Sequence, residues 1–199
     1  MSFRLSALAF VLIGVSACQD ASEDVAVAPQ DTVEVSVATT QVETAELMID
    51  AFYSFDAERL RPFLSEAGDT AERLMFYQGW AEGGNYKIVS RAPCAAEGSD
   101  KVVCPITVED DAVMALKTDF KVTDTFTLSF DGETLTSVET SSNDKPVYYQ
   151  ASAWVREKFP EIMEGPCKGF FADGPTPGDC ARAMSDGYRK FAESEDFPG

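Results

Sequence analysis

The stretch Asp119-Phe120-Lys121-Val122-Thr123-Asp124-Thr125-Phe126-Thr127-Leu128-Ser129-Phe130-Asp131-Gly132-Glu133-Thr134-Leu135-Thr136-Ser137-Val138-Glu139-Thr140 decides the fold of this chain. Lys121, Thr123, Thr125, Thr127 and Ser129 alternate with Phe120, Val122, Phe126, Leu128 and Phe130, so one face of an extended strand is apolar and the other polar. Asp131-Gly132 supplies the two positive-φ residues of a tight hairpin turn, and Glu133 to Thr140 returns as a second strand. The pattern predicts a half-buried antiparallel sheet with one anomaly, because Asp124 falls on the apolar face. A carboxylate there is turned out by a bulge, satisfied by nearby polar groups, or desolvated, its pKa raised toward a value useful to a general base.

Ahead of the hairpin, Tyr86 to Arg91 and Lys101 to Val108 read as strands flanking a loop of small and polar residues. In the second, Val102, Cys104, Ile106 and Val108 share a face, and Pro105 removes a ladder donor, which predicts an edge strand or a bulge. The segment Val113 to Leu116 is short and reads equally as helix or strand. Three short helices precede the strands. Thr44 caps a first, with Leu47, Ala51, Phe52 and Phe55 on one face; Asp56 caps a second, turning Leu60, Phe63 and Leu64 inward; Asp69 or Thr70 caps a third, carrying Leu74, Tyr77 and Trp80 and stopping at Gly83-Gly84. After the hairpin, Pro146 starts a helix with Tyr149, Ala153, Trp154 and Phe159. A Gly/Pro-rich turn region spans Gly165 to Gly178, and Asp179 or Cys180 opens a last helix through Met184, Tyr188 and Phe191. The order predicts an α+β fold: N-terminal helices packed on a curved antiparallel sheet, with a C-terminal helical extension.

At the start of the chain, Arg4 and the apolar run Leu5 to Val15 end in Val15-Ser16-Ala17-Cys18. This ending resembles the lipobox of bacterial lipoproteins, which implies removal of residues 1–17 and lipidation of Cys18; a plain signal peptide ending in Cys is the alternative. The run is too short to span a bilayer. From Cys18 to residue 43 there is no basic residue and little bulk, apart from the alternating Val33, Val35 and Val37, which reads as a flexible acidic tether. The expected organisation is thus a signal peptide over 1–17, the tether over 18–43, an α+β domain over 44–145 and the helical extension over 146–199. The expected site is the cell membrane or outer membrane, with the domain in the periplasm or outside the cell.

Of 199 residues, 34 are Asp or Glu and 16 Lys or Arg, a net charge of -18 that repels phosphate backbones and argues against nucleic acid as a partner. Histidine is absent, which excludes Ser-His-Asp and Cys-His catalysis and His-ligated zinc. No Gly-rich phosphate loop follows a strand, so no cofactor is expected. Setting Cys18 aside leaves four cysteines, an even number that suits an oxidising compartment. Cys94 with Cys104 and Cys167 with Cys180 each bracket a Gly-containing loop between adjacent elements, and these are the expected disulfides. The spacings lack a Cys-x-x-Cys pair, so a metal centre is not expected.

The run Met48-Ile49-Asp50-Ala51-Phe52-Tyr53-Ser54-Phe55-Asp56-Ala57-Glu58-Arg59-Leu60-Arg61-Pro62-Phe63-Leu64 resembles the nuclear transport factor 2-like superfamily, in which a first helix ends in a polar turn that opens a second helix closing on an apolar pair. The resemblance covers roughly residues 44–140 and implies helices on a sheet with a cavity at its open end. The superfamily includes ketosteroid isomerases and polyketide cyclases, but their catalytic groups do not carry over. The isomerases' oxyanion tyrosine falls near Met48 rather than Tyr53, and a third helix stands where their base-bearing strand would follow. The resemblance therefore implies a non-enzymatic envelope domain that binds a small apolar ligand or a partner protein. Tyr53, Tyr77, Trp80, Asp124 and Trp154 are the candidate pocket residues, with core packing the alternative for each aromatic. An isomerase or hydrolase using Asp124 as general base is the second reading.

Overall fold

The computed structural model describes residues 30–169 and 177–198, with side chains from residue 37 onward. The signal segment, Cys18 and the first part of the tether lie outside the described residues, as does part of the turn region before the last helix. The chain runs α1 (Gln30–Phe52), α2 (Ala57–Leu60), a 3-10 turn (Arg61–Leu64), α3 (Asp69–Gly83), β1 (Lys87–Arg91), β2 (Ala95–Ala96), β3 (Lys101–Glu109), α4 (Asp111–Ala115), β4 (Val122–Asp131), β5 (Thr134–Ser142), α5 (Pro146–Lys158), α6 (Pro160–Glu164) and α7 (Pro177–Ala192). The fold is α+β. All strand pairs are antiparallel, in the order β1-β3-β4-β5, with β2 also beside β3.

The hairpin forms as its alternation predicts: β4 buries every second residue from Val122 to Phe130. Its turn sits one residue later than expected. Asp131 pairs with Thr134, which leaves Gly132 and Glu133 as the loop, and of the two expected positive-φ residues only Gly132 has one, at 60°. A two-residue loop with glycine first needs only that one positive φ. A bulge in β5 then restores the register: Phe130 pairs with Leu135 but Ser129 with Ser137, and the hydroxyl of the extra residue, Thr136, donates to the Ser129 carbonyl at 3.1 Å. The bulge lets Leu135 and Val138, three residues apart, both turn into the core.

Pro105 is neither at an edge nor in a bulge, because β3 lies between β4 and the pair β1 and β2. Pairing to β1 ends at Ile106 and pairing to β2 resumes at Val103, so the proline occupies the break between them, where no ladder donor is needed on that side. The chain leaving β1 crosses this break, and Cys94 is disulfide-bonded there to Cys104, with Cα atoms 4.3 Å apart.

The helices lie on the buried face of the sheet. α1 starts at Gln30, well before the expected cap at Thr44, which stands inside the helix. Gln41 is buried, and its side-chain amide donates to the carbonyl of Gly132 at 2.6 Å, tying the helix to the hairpin loop. The inward residues of α1 are Ala45, Met48, Ile49, Ala51 and Phe52; Leu47, expected among them, is 57% exposed. Phe52 packs edge-on against Phe126 of β4 at 5.0 Å. Asp56 caps α2 as expected, accepting from the Glu58 amide at 2.9 Å. α3 has no side-chain cap; Thr70 instead accepts a hydrogen bond from the Val138 amide at 3.0 Å, which fastens α3 to β5.

The segment after β5 shares its core with the rest of the domain. Ala112, Ala115 and Leu116 from α4 pack with Ala151 and Val155 of α5 and Met184, Tyr188 and Phe191 of α7 in a second cluster. The ambiguous residues 113–116 thus belong to a short helix and the loop after it, capped by Asp110, which accepts from the Val113 amide at 2.9 Å. The second disulfide, Cys167–Cys180, joins the region after α6 to α7. α7 meets α3 closely: a Cβ on Gly83 would lie 2.2 Å from the Gly178 carbonyl oxygen, so only glycine allows this approach. Among the described residues no helix is long and apolar enough to cross a membrane.

Candidate functional site

The inner face of the sheet changes character along its length. In β5, Leu135 and Val138 are buried opposite Phe130 and Leu128, but the next inward positions are Thr140, opposite Phe126, and Ser142, opposite Asp124. α1 and α3 do not fill the space at this end. α5 and α7 roof it instead, enclosing a cavity of about 370 Å³. Buried groups line its inner walls, Val122 and Asp124 of β4, Asp110 and, from the roof, Tyr188 of α7 among them, whereas Ser141, Ser142, Tyr149 and Arg156 are exposed and form its rim.

Asp124 is 2% exposed and directed into the fold. The bulge that would turn it outward is absent, since β4 keeps unbroken register with β3 from Val122 to Ser129. The Tyr53 hydroxyl donates to its Oδ2 at 3.3 Å, and the Tyr77 hydroxyl is a second hydrogen-bonding partner. Burial pushes the carboxyl up to about 6; the two tyrosine hydrogen bonds oppose that rise, and the neighbouring Asp144 and Asp110 charges add to it. Asp110 is 3% exposed and is likewise pushed up to about 6 by burial, against the pull of the Val113 and Ala112 amides that it caps. No family model, characterised protein or solved structure matches the chain.

Tyrosines extend the polar chain along the wall. Tyr86 hydrogen-bonds to Tyr77 and to Trp80, whose indole has only a donor to offer. Tyr188 bonds to Ser152 and Tyr148, and its ring meets that of Tyr148 edge-on at 5.2 Å. Burial drives the hydroxyls of Tyr53, Tyr77, Tyr86 and Tyr148 well above their ordinary value and that of Tyr188 to about 12, so all five are neutral donors at physiological pH. The site therefore offers acceptors that can carry charge, neutral donors and aromatic faces. Among the described residues no group of three His, Cys, Asp or Glu side chains could hold a metal ion.

Of the five candidate pocket residues, Tyr77, Trp80 and Asp124 line the cavity. Tyr53 stands behind Asp124, its ring packed against Phe52 at 4.9 Å, and acts through its hydroxyl. Trp154 is not a lining residue. It lies on the α5 face turned to Phe159 and Phe191, and its indole donates to Asp196 at 2.8 Å. Tyr149 of α5 is 58% exposed at the rim. The sequence reading missed Asp110, Tyr86, Tyr148 and Tyr188, which come from four separate places in the chain. The one signal that pointed to the inner end of the site was Asp124 on an apolar strand face.

Proposed function

We propose that this protein is an exported, lipid-anchored component of the cell envelope whose domain binds a small ligand in the cavity beneath α5 and α7. The cavity carries the binding part of this reading: about 370 Å³, within the usual range for small-molecule sites, walled by aromatic side chains and holding two buried carboxylates. The two disulfides point to an oxidising, exported compartment. The run Val15-Ser16-Ala17-Cys18 supports the anchor. Helices on one face of a sheet, with a cavity at one end, support the resemblance to the nuclear transport factor 2-like superfamily. A partner protein of the envelope, recognised through the exposed rim, is the other form that binding would take.

Two measurements test the parts separately. Cys18→Ser should release the protein from membranes and abolish labelling by fatty-acid probes; unchanged fractionation removes the anchor. A thermal-shift screen of small metabolites should find compounds that stabilise the native protein but not Ser152→Trp, in which an indole is placed in the cavity. Equal shifts in both would locate binding elsewhere.

A second reading, catalysis with Asp124 as general base, is favoured by its place in the cavity lining, where burial pushes the carboxyl up to about 6. The Tyr53 and Tyr77 hydroxyls that donate to the carboxylate would hold it in place for that role. Turnover of any carbon acid or ester that is lost in Asp124→Asn and rises with pH through about 6 would establish this role.

A further inference from the structure

Resting on the reading of this cavity as a ligand site, we propose that its ligand is a small organic ammonium ion, with N–H groups held by Asp124 and Asp110 and an apolar body against the rings of Tyr77, Trp80 and Tyr148.

The charges around the cavity support a cation. Asp124 comes from β4, Asp110 from the cap of α4 and Asp144 from the turn before α5, against one guanidinium, Arg156, on the exposed side of α5. α3 and α7 contribute tyrosines, and Tyr53 of the α1 end a hydroxyl, all neutral. The partners of the two buried carboxylates are neutral as well. Asp124 accepts from tyrosine hydroxyls and Asp110 from backbone amides, so among the described residues these hydrogen bonds bring no positive charge to balance either carboxylate. A ligand cation would provide that balance. An anionic ligand would meet three carboxylates, and a neutral apolar one would leave two ionised groups desolvated.

The walls narrow the cation further. A bare metal ion would need a converging set of ligands that the described residues do not provide. Aromatic faces attract an ammonium group and the alkyl or aryl body attached to it, and N–H donors match carboxylate acceptors. A primary or secondary amine with a compact apolar body uses both parts of the cavity.

Calorimetry on the full-length protein in detergent separates this inference from the reading beneath it. The probes are matched pairs, phenethylammonium with 2-phenylethanol and hexylammonium with 1-hexanol, alike in size and differing in charge. At pH 7.5 each ammonium is expected to bind roughly tenfold or more tightly than its alcohol. The ammonium affinity should also rise between pH 5 and 7.5, as the carboxylates lose protons while the amines keep theirs. In Asp124→Asn the preference should collapse while alcohol binding persists, which also shows that the variant is folded. If the alcohols bind as well as the ammonium ions, the cavity is a ligand site and the inference of a cation is wrong. If none of the four binds, both fall. A preference that survives in Asp124→Asn, or an affinity flat from pH 5 to 7.5, likewise overturns the assignment.

Discussion

The two halves of β4 present the same face of the same strand to very different surroundings. Toward the hairpin, Phe126, Leu128 and Phe130 meet Cys104, Val102, Leu135 and Val138 beneath α1, all of them buried and apolar. Away from it, Asp124 and Val122 meet Ile106, Val108 and Ser142 and look into the cavity under α5 and α7. Only the first half gains the full benefit of apolar burial and close packing. The second half carries Asp124 and shares its cavity with Asp110, two buried carboxylates whose ionisation works against folding. One end of the sheet holds the molecule together, and the other spends part of that stability on a polar, partly empty space.

If this division is right, the largest effect should come from the apolar end. Phe126→Ala removes a ring that packs on Phe52, Tyr53 and Tyr77, and it should lower stability by about 3–5 kcal/mol. Tyr148→Ala removes a ring of similar size that faces the cavity, and its loss should be clearly smaller. Urea unfolding of the two variants at one pH makes the comparison. Equal losses would mean that the cavity end is as load-carrying as the hairpin end.

The next effect depends on pH. Asp124 and Asp110 are raised from the ordinary 3.8 to about 6, so the folded protein holds these protons more tightly than the unfolded chain does. Their contribution to stability is therefore greatest in acid and falls as pH rises between those two values. Each carboxylate contributes a loss of roughly 3 kcal/mol, complete above about pH 6 and absent below about pH 4. Asp124→Asn abolishes one of the two losses. At pH 8 the variant should be more stable than the native protein by roughly 1–3 kcal/mol, and near pH 4 the two should be alike. Urea unfolding at both pH values checks this. A variant less stable at pH 8 would show that the tyrosine hydrogen bonds outweigh desolvation, and the contrast between the two ends would be lost.

The apolar end was legible in the sequence, and much of the cavity end was not. Alternation from Phe120 to Phe130 is a local pattern of period two, and the four cysteines bracket loops close in sequence, so both could be read directly. Asp124 stood out because it broke that pattern. The turn slipped by one residue because Asp131 can serve either as a turn residue or as the last of the strand, and the bulge at Thr136 that settles the choice has no signature of its own. The start of α1 was hidden because the run before Thr44 is low in bulk and rich in β-branched residues, and the contact that ties it to the hairpin is a polar one, Gln41 to Gly132. Tyr86, Tyr148 and Tyr188 meet only because α5 and α7 fold back across the end of the sheet, which no local period encodes. Trp154 was drawn into the pocket because neighbouring residues on one turn of α5, Ser152 and Arg156 on one side and Trp154 and Val155 on the other, serve different surfaces.

The smallest effect expected is also the most specific to the link between the two ends. Tyr53 lies at the boundary: its ring packs with Phe52 and Phe126, and its hydroxyl reaches Asp124 at 3.3 Å. Tyr53→Phe keeps the ring and removes only the donor. A hydrogen bond of this length to a carboxylate stabilises the charged form, so its loss should raise the Asp124 pKa above its present value of about 6. Because Tyr77 remains as a partner, the change in stability at pH 8 should be no more than about 1 kcal/mol. It should also vanish below about pH 4, where the carboxyl is protonated in both proteins. A carbon-detected NMR titration of the Asp124 carboxyl would read the shift directly. An unchanged pKa would mean that Tyr77 alone sets the proton affinity of the site, and that Tyr53 belongs wholly to the apolar end of the strand.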